Sequence, residues 1–246
     1  MAETQDSLSH EIASPKWAFD ASVAAVFDDM LLRSVPGLAR ACKTANLLLS
    51  ATERCYPHYQ NNNVLDLGVG TGTTCRYIVP NRKEKAFFAL DNAPDMVEKA
   101  RANLKDVFGH TTIKCADIRE PLPLTFPSKF GAILCVLTLM FTPPEYRLPI
   151  LKRICGALSN EGVLFFMEKT VPSSMPMLLR DAYRAYKAEA GYSISQINDK
   201  ESALQGVLIP QSSQEWERMF REAGFASYEM VFSELQFKGW LLRKSV

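Results

Sequence analysis

The sequence predicts an α/β fold built on a mainly parallel sheet, and three features predict it. Short apolar runs alternate with amphipathic stretches at roughly 20–30 residue intervals, the spacing of strand–helix units. A loop with three glycines follows the first of these runs, in VLDLGVGTGTT (64–74). The chain closes on an amphipathic helix and two further apolar runs, SYEMVFS and LQFKGWLLRK, which read as an antiparallel hairpin.

The elements follow in order. FDASVAAVFDDMLLRSV is patterned as a helix and is broken by Pro36-Gly37. A second helix runs from Leu38 to about Ala51. VLDLG (64–68) reads as a strand, and Thr73–Ile78 as a short helix ending near Pro80. AFFAL (86–90) is a strand. Pro94 fits the first turn of a helix reaching Val107, because its missing N–H is unneeded there. TIKCA (112–116) is a strand, followed by the loop PLPLTFPS. FGAILCVL (130–137) is apolar almost throughout, the mark of a strand buried on both faces. PPEYRLPILKRICGAL is a helix that Pro149 is expected to bend, and Gly162–Met167 is a strand. SSQEWERMFREAGF forms a helix that closes at Gly224. Between Thr170 and Ser212, DAYRAYKAEAGYSISQINDKESALQ interrupts the alternation and reads as a helical insertion. The domain expectation is one unit, 1–246, with a helical cap (1–55) and a lid (170–211).

Composition narrows the partners. With 246 residues and 47% hydrophobic residues the chain can bury one sizeable core. Lys+Arg 28 against Asp+Glu 27 leaves almost no net charge, so a small-molecule substrate is expected and a nucleic-acid partner is not. The polar, acidic N-terminus lacks the basic start and apolar core of a signal peptide. No apolar run approaches the roughly 20 residues of a membrane span. A soluble, cytoplasmic protein is expected. The six cysteines form no CxxC pair and read as reduced thiols, with Cys115 and Cys135 inside apolar runs. His10, His58 and His110 are scattered, so no metal is expected.

The glycine loop points to a ligand. In open α/β sheets ligands bind at the carboxyl ends of the strands, where glycines let the backbone approach them. The spacing is Gly68, Gly70, Gly72 with Val69 between the first two, not the GxGxxG of dinucleotide sites. Asp66 precedes the loop and suits a cationic amine. Asp91, with Asn92 after it, ends the second strand and can accept from ribose hydroxyls. Asp117 ends the third strand and can accept from an adenine amino group, while the Ile118 N–H can donate to the ring. Three acids at three strand ends, with GxGxG on the first, fit S-adenosyl-L-methionine (SAM). NAD(H) is the alternative, which the glycine spacing disfavours.

On these residues the chain resembles the class I SAM-dependent methyltransferases. More narrowly it is similar to the carboxy-SAM synthases through FDASVAAVFDDMLLRSVPG, ALDNAPDMVEKAR, ADIREPLP, LTLMF, EKT, AGYS (190–193) and SQINDKESALQGVL. The resemblance implies a Rossmann-like seven-stranded sheet with its last strand antiparallel, helices on both faces, and a homodimer. It carries cofactor roles to Gly68 and its neighbours, to Asp91 and Asn92, and to Asp117 and Ile118. Three positions depart from the pattern. Leu38 stands for a tyrosine and Val136 for an asparagine, both at positions to which the resemblance carries cofactor contact, and Glu201 stands for the arginine that holds the extra carboxylate in those synthases.

A glutamate would repel a carboxylate beside the sulfonium, where a cation is needed. The expectation from Glu201 is therefore methyl transfer to a small, amine-bearing acceptor, with Glu201 binding the ammonium or taking its proton. Attack of SAM's own amine, a cyclase or lyase releasing methylthioadenosine, is an alternative. So is carboxy-SAM synthesis from prephenate, with Lys200 or Arg184 as the replacing cation, and so is a SAM-binding module without catalysis. Tyr183, Tyr186 and Tyr192 are candidates to line the acceptor pocket, Tyr183 and Tyr192 being the catalytic candidates beside Glu201; an aromatic face can stabilise a sulfonium. Otherwise they are packing residues. Trp17 and Phe19 read as lid packing, and Glu168 as either an active-site acid or a structural partner of Lys169.

Overall fold

In the computed structural model, which describes residues 17–56, 62–80 and 83–244, Asp20 opens the first helix. Its side chain accepts from the Val23 N–H, and α1 (Ala21–Ser34) ends just before Pro36. Gly37 then turns the chain in the left-handed region (φ 66°), where a Cβ would strike Glu234, and α2 (Leu38–Cys55) follows. The expectations about the first 16 residues, including part of the cap, and about His10 and His58 lie outside the described residues.

The alternation appears as read. It runs β1 (Asn63–Leu67), α3 (Thr73–Ile78), β2 (Ala86–Asp91), α4 (Pro94–Leu104), β3 (His110–Cys115) and β4 (Phe130–Val136). A 3₁₀ turn (Leu139–Phe141) leads to α5 (Pro144–Ala157) and β5 (Leu158–Val171). The inserted stretch forms α6 (Pro176–Glu189) and α7 (Ile194–Ala203), parted at Gly191, whose φ of 93° no helix accommodates. A two-residue β6 (Gln211–Ser212), α8 (Ser213–Glu222), β7 (Phe225–Glu234) and β8 (Phe237–Lys244) complete the chain.

Seven strands form the sheet in the order β3-β2-β1-β4-β5-β8-β7, with β6 paired to the end of β5. Only β8 runs antiparallel to its neighbours, so the seven-stranded sheet with a reversed last strand is present. The chain winds outward from β1 to β3 and then returns to place β4 on the other side of β1. Loops leaving β1 and β4 diverge there and open a crevice at the strands' carboxyl ends. Strand β4 is buried at every position. Helices α2, α3 and α4 pack on one face, and α5 and α8 on the other, around Ile154, Trp216 and Phe220.

The helix α5 runs through Pro149 to Ala157, where a helix is expected. Two local expectations are corrected. Strand β5 is longer than its apolar stretch because Ser159–Glu161, with Glu161 at φ 59°, interrupts the pattern before Val163 resumes the ladder with Ala132. Cys115 is exposed, at the end of the edge strand β3, whereas Cys135 is buried; all six cysteines are free thiols. Among the described residues no helix is long and apolar enough to cross a membrane.

Candidate active site

The floor of the crevice is the glycine loop. Gly68, Gly70 and Gly72 all have positive φ (76°, 53° and 83°), which side-chain-bearing residues rarely adopt. The N–H groups of Gly68 and Val69 donate to the Leu90 carbonyl at 2.9 and 3.1 Å. The Gly70 N–H donates to Asp91 Oδ2 at 2.9 Å, and Asp91 Oδ1 accepts from the Ala93 N–H at 2.9 Å. Asp91 thus ties the loop to the start of α4. Burial pushes its pKa up, against the pull of those N–H groups. Thr138, after β4, donates its hydroxyl to the Leu67 carbonyl at 2.9 Å and leaves no room for a Cβ on Gly68.

Above this floor lies a cavity of about 470 Å³, within the usual size of small-ligand sites. Gly68, Val69, Gly70, Asp91 and Asn92 line its base, and Ile118 and Met96 one end. Val136 and the turn through Thr142 form a wall. Trp17, Phe19 and Phe27 form a roof, with Phe19 edge-on to Phe27 (6.2 Å) and to Phe141 (5.1 Å). Trp17 and Phe19 are therefore both packing residues and cavity lining. The far end carries Lys169, Tyr183, Lys187, Lys200 and Glu201 from β5 and the two inserted helices. The positive-φ loop, the strand-end carboxylate Asp91 and the apolar walls fit a cofactor of the size and chemistry of SAM.

Several sequence candidates sit elsewhere. Asp66 is 2% exposed and lies behind the loop rather than on the cavity; burial and the nearby Asp91 carboxylate push its pKa up to about 7. Leu38 is packed in the core. Asp117 is outside the lining and gripped by Arg119, whose Nε reaches its two oxygens at 3.0 and 2.9 Å, holding its pKa low. Tyr192 is also outside the lining. Its hydroxyl accepts from Lys200 Nζ at 2.7 Å and lies 3.2 Å from Ser34 Oγ, and its ring faces Arg33 and Lys200.

Tyr183 lines the cavity, but its hydroxyl donates to the Ser34 carbonyl at 2.8 Å and burial pushes its pKa well up. Both tyrosines join the inserted helices to the end of α1. Tyr186 is half-buried against the core beside them.

Glu201 lines the cavity and is not free. Its Oε2 pairs with Arg184 at 2.6 Å and Arg180 at 2.9 Å, and its Oε1 with Lys187 at 3.3 Å. Burial would raise its pKa, but the three cations outweigh that and hold it below the usual range. A carboxylate so held is a weak base.

Lys169, which the sequence offers only as a pairing partner of Glu168, lines the cavity. Its ammonium sits 4.3 Å from the Tyr183 ring centroid, with Lys187 at 4.7 Å on the same ring. Burial first, and then Lys187, lower its pKa to about 8. The signal for it was its place right after the strand-end Glu168. Glu168 does not bond to Lys169; it points away from the cavity, to backbone N–H groups.

The family described as "Methyltransferase domain" matches residues 64–162. The chain is 34% identical over 246 residues to the carboxy-S-adenosyl-L-methionine synthase of Wolinella succinogenes, covering 98% of each protein. It is 31% identical over 249 residues to the Helicobacter pylori protein of the same name, covering 98% of this chain and all of that one. Among solved structures it resembles the plantazolicin methyltransferase BpumL in complex with SAH (TM-score 0.62, 14% identity, 90% of this chain and 89% of that one). It also resembles human N-acetylserotonin methyltransferase in complex with SAM (TM-score 0.60, 13% identity, 92% of this chain and 56% of that longer one). At such identities the structures speak for the fold alone.

Proposed function

We propose, for a chain that belongs to the carboxy-S-adenosyl-L-methionine synthase family within the class I SAM-dependent methyltransferases, that its reaction is carboxy-SAM synthesis from SAM and prephenate. The observation that carries this reading is likeness to those synthases along the whole chain, inserted helices included. In the net change the ring carboxylate of prephenate breaks from its ring carbon and replaces one hydrogen of SAM's S-methyl group; that hydrogen and the ring hydroxyl leave as water, and prephenate becomes phenylpyruvate.

Charge at the far end of the cavity supports it. Lys169, Lys187 and Lys200 line that end against one carboxylate, Glu201, which is also paired by Arg180 and Arg184 from outside the lining. SAM adds a sulfonium and an ammonium against a single carboxylate of its own. Such a site needs an anion beside the cofactor, and prephenate carries two carboxylates. Glu201 departs from the family's arginine, but Arg180 and Arg184 on α6 neutralise it from behind, which leaves Lys169, Lys187 and Lys200 as the cavity's cations. An ammonium-bearing acceptor would meet lysines here, and a carboxylate already held by three cations would serve it poorly as seat or base. The reading includes a cytoplasmic homodimer, which sedimentation equilibrium would check.

The test is to incubate the protein with SAM alone, with SAM and prephenate, and with SAM and a primary amine, reading products by mass spectrometry. Carboxy-SAM formed only when prephenate is present is the expected result. Methylthioadenosine from SAM alone would establish cyclase or lyase chemistry instead. S-adenosylhomocysteine formed only with the amine would establish methyl transfer.

A further inference from the structure

Two charged side chains outside the cavity, Arg147 and Glu168, are wholly buried (0% exposed). Glu168 ends the apolar part of β5. Its Oε1 accepts from the N–H groups of Thr138 (3.1 Å) and Leu139 (2.7 Å), and its Oε2 from that of Met140 (3.2 Å). These N–H groups open the 3₁₀ turn that forms the cavity wall, and such groups have no partner within a helix's own first turn. Leu137 just before them is forced to a φ of 56° and is pinned by its N–H to the Met167 carbonyl at 2.7 Å.

Arg147, in the first turns of α5, holds the other end of the same turn. Its Nε donates to the Thr142 carbonyl at 2.9 Å, and its Nη2 to the Ile209 carbonyl at 2.7 Å. Ile209 in turn donates its N–H to the Met140 carbonyl at 2.8 Å. Ile209 lies in the segment by which the chain returns from α7 to the sheet, and its neighbours Leu208 and Pro210 line the cavity. The wall turn and the return segment are therefore bonded to each other and clamped at both ends by buried charges.

Stability is a poor reason for this arrangement. Taking a carboxylate and a guanidinium out of water costs more than burying apolar side chains in the same space, unless every polar atom is matched. Arg147 Nη1 makes no hydrogen bond among the described residues. Burial raises the Glu168 pKa despite its three N–H donors, and lowers that of Arg147 despite the attraction of Glu168. What the pair does supply is direction: five main-chain groups held by two rigid side chains.

We propose that Arg147 and Glu168 are positioning residues that fix the cavity wall and the return segment of the inserted helices as one unit, so that SAM affinity depends on both. This holds whichever group SAM transfers.

The test uses Arg147→Met and Glu168→Gln in the full chain. SAM affinity is read by calorimetry, and amide exchange over residues 204–212 by mass spectrometry. Each variant is expected to bind SAM roughly tenfold more weakly and to exchange faster in that segment, Glu168→Gln included, although it does not touch the segment. Phe220→Leu, a core change on α8, is the control for plain loss of stability. It is expected to lower the melting temperature while SAM affinity stays within about twofold. If Arg147→Met does not fold, Arg147→Lys, which can keep one of the two carbonyl bonds, is expected to show an intermediate loss. A folded Arg147 or Glu168 variant that binds SAM within about twofold of the parent would overturn the proposal. So would a Phe220→Leu protein that loses as much SAM affinity as they do.

Discussion

Arg184 Nη1 stands 2.6 Å from Glu201 Oε2, so the acid that departs from the family pattern is neutralised from the neighbouring helix. Glu201→Gln would remove the one carboxylate at that end and leave the charges of Lys187 in the lining, and of Arg184 and Arg180 behind it, without their counter-ion. The KM for prephenate is expected to fall about threefold at low ionic strength, and the gain to shrink in high salt because these groups are partly exposed. Steady-state kinetics at two salt concentrations checks this. A higher KM would mean that Glu201 serves the site by holding α6 and α7 together.

Lys169 carries a charge only below its lowered pKa of about 8. Its ammonium is thus fully present at lower pH and disappears as pH rises through about 8. Carboxylate affinity conferred by Lys169 follows the same course. The KM for prephenate is expected to rise across that window, and in Lys169→Met to be high and flat. A parental profile that the substitution leaves unchanged would remove Lys169 from the binding of the anion.

Asp91 makes two hydrogen bonds to backbone N–H groups, at Gly70 and Ala93. In Asp91→Asn one amide nitrogen must face an N–H it cannot accept from, and the site loses the charge that would receive the ribose hydroxyls. SAM is expected to bind about tenfold to a hundredfold more weakly, measured by calorimetry. Affinity within about threefold of the parent would place the ribose elsewhere.

Tyr192 has its hydroxyl between Lys200 Nζ and Ser34 Oγ, bridging the inserted helices and α1. Tyr192→Phe keeps the ring facing Arg33 and Lys200 and removes only the hydroxyl. A loss of about 1–2 kcal/mol in urea unfolding is expected, with SAM turnover affected less than by Lys169→Met. A collapse of kcat without loss of stability would give the hydroxyl a chemical role.

Much of this molecule was legible in its sequence. Gly68, Gly70 and Gly72 need positive φ in a local turn, and Asp91 ends its strand by simple counting, so the cavity floor followed from short-range rules. The full apolarity of Phe130–Val136 placed it at the middle of the sheet. Asp66, Asp91 and Asp117 all sit at or near strand ends, and spacing alone offers each of them a part of the same ligand. They differ because Asp66 points behind the loop and Arg119 forks onto Asp117, and neither orientation is a property of spacing. In the sequence Lys169 has only the role of a pairing partner for Glu168, because a lysine after a strand-end glutamate suggests a pair, whereas the glutamate turns inward to the Thr138–Met140 backbone.

The sequence by itself determined the layered sheet, its reversed last strand by resemblance, and a SAM-shaped floor, since periodicity and glycine conformation act over a few residues. Only the tertiary structure decided the electrostatics of the far end. Glu201 meets Arg180, Arg184 and Lys187 across separations of 21, 17 and 14 residues, on a helix whose rotation is set by packing against the core. Read alone, Glu201 argued for an amine and against a carboxylate. Among its partners it leaves a net positive cavity, because a charge acts through its neighbours in space and not through its place in the chain.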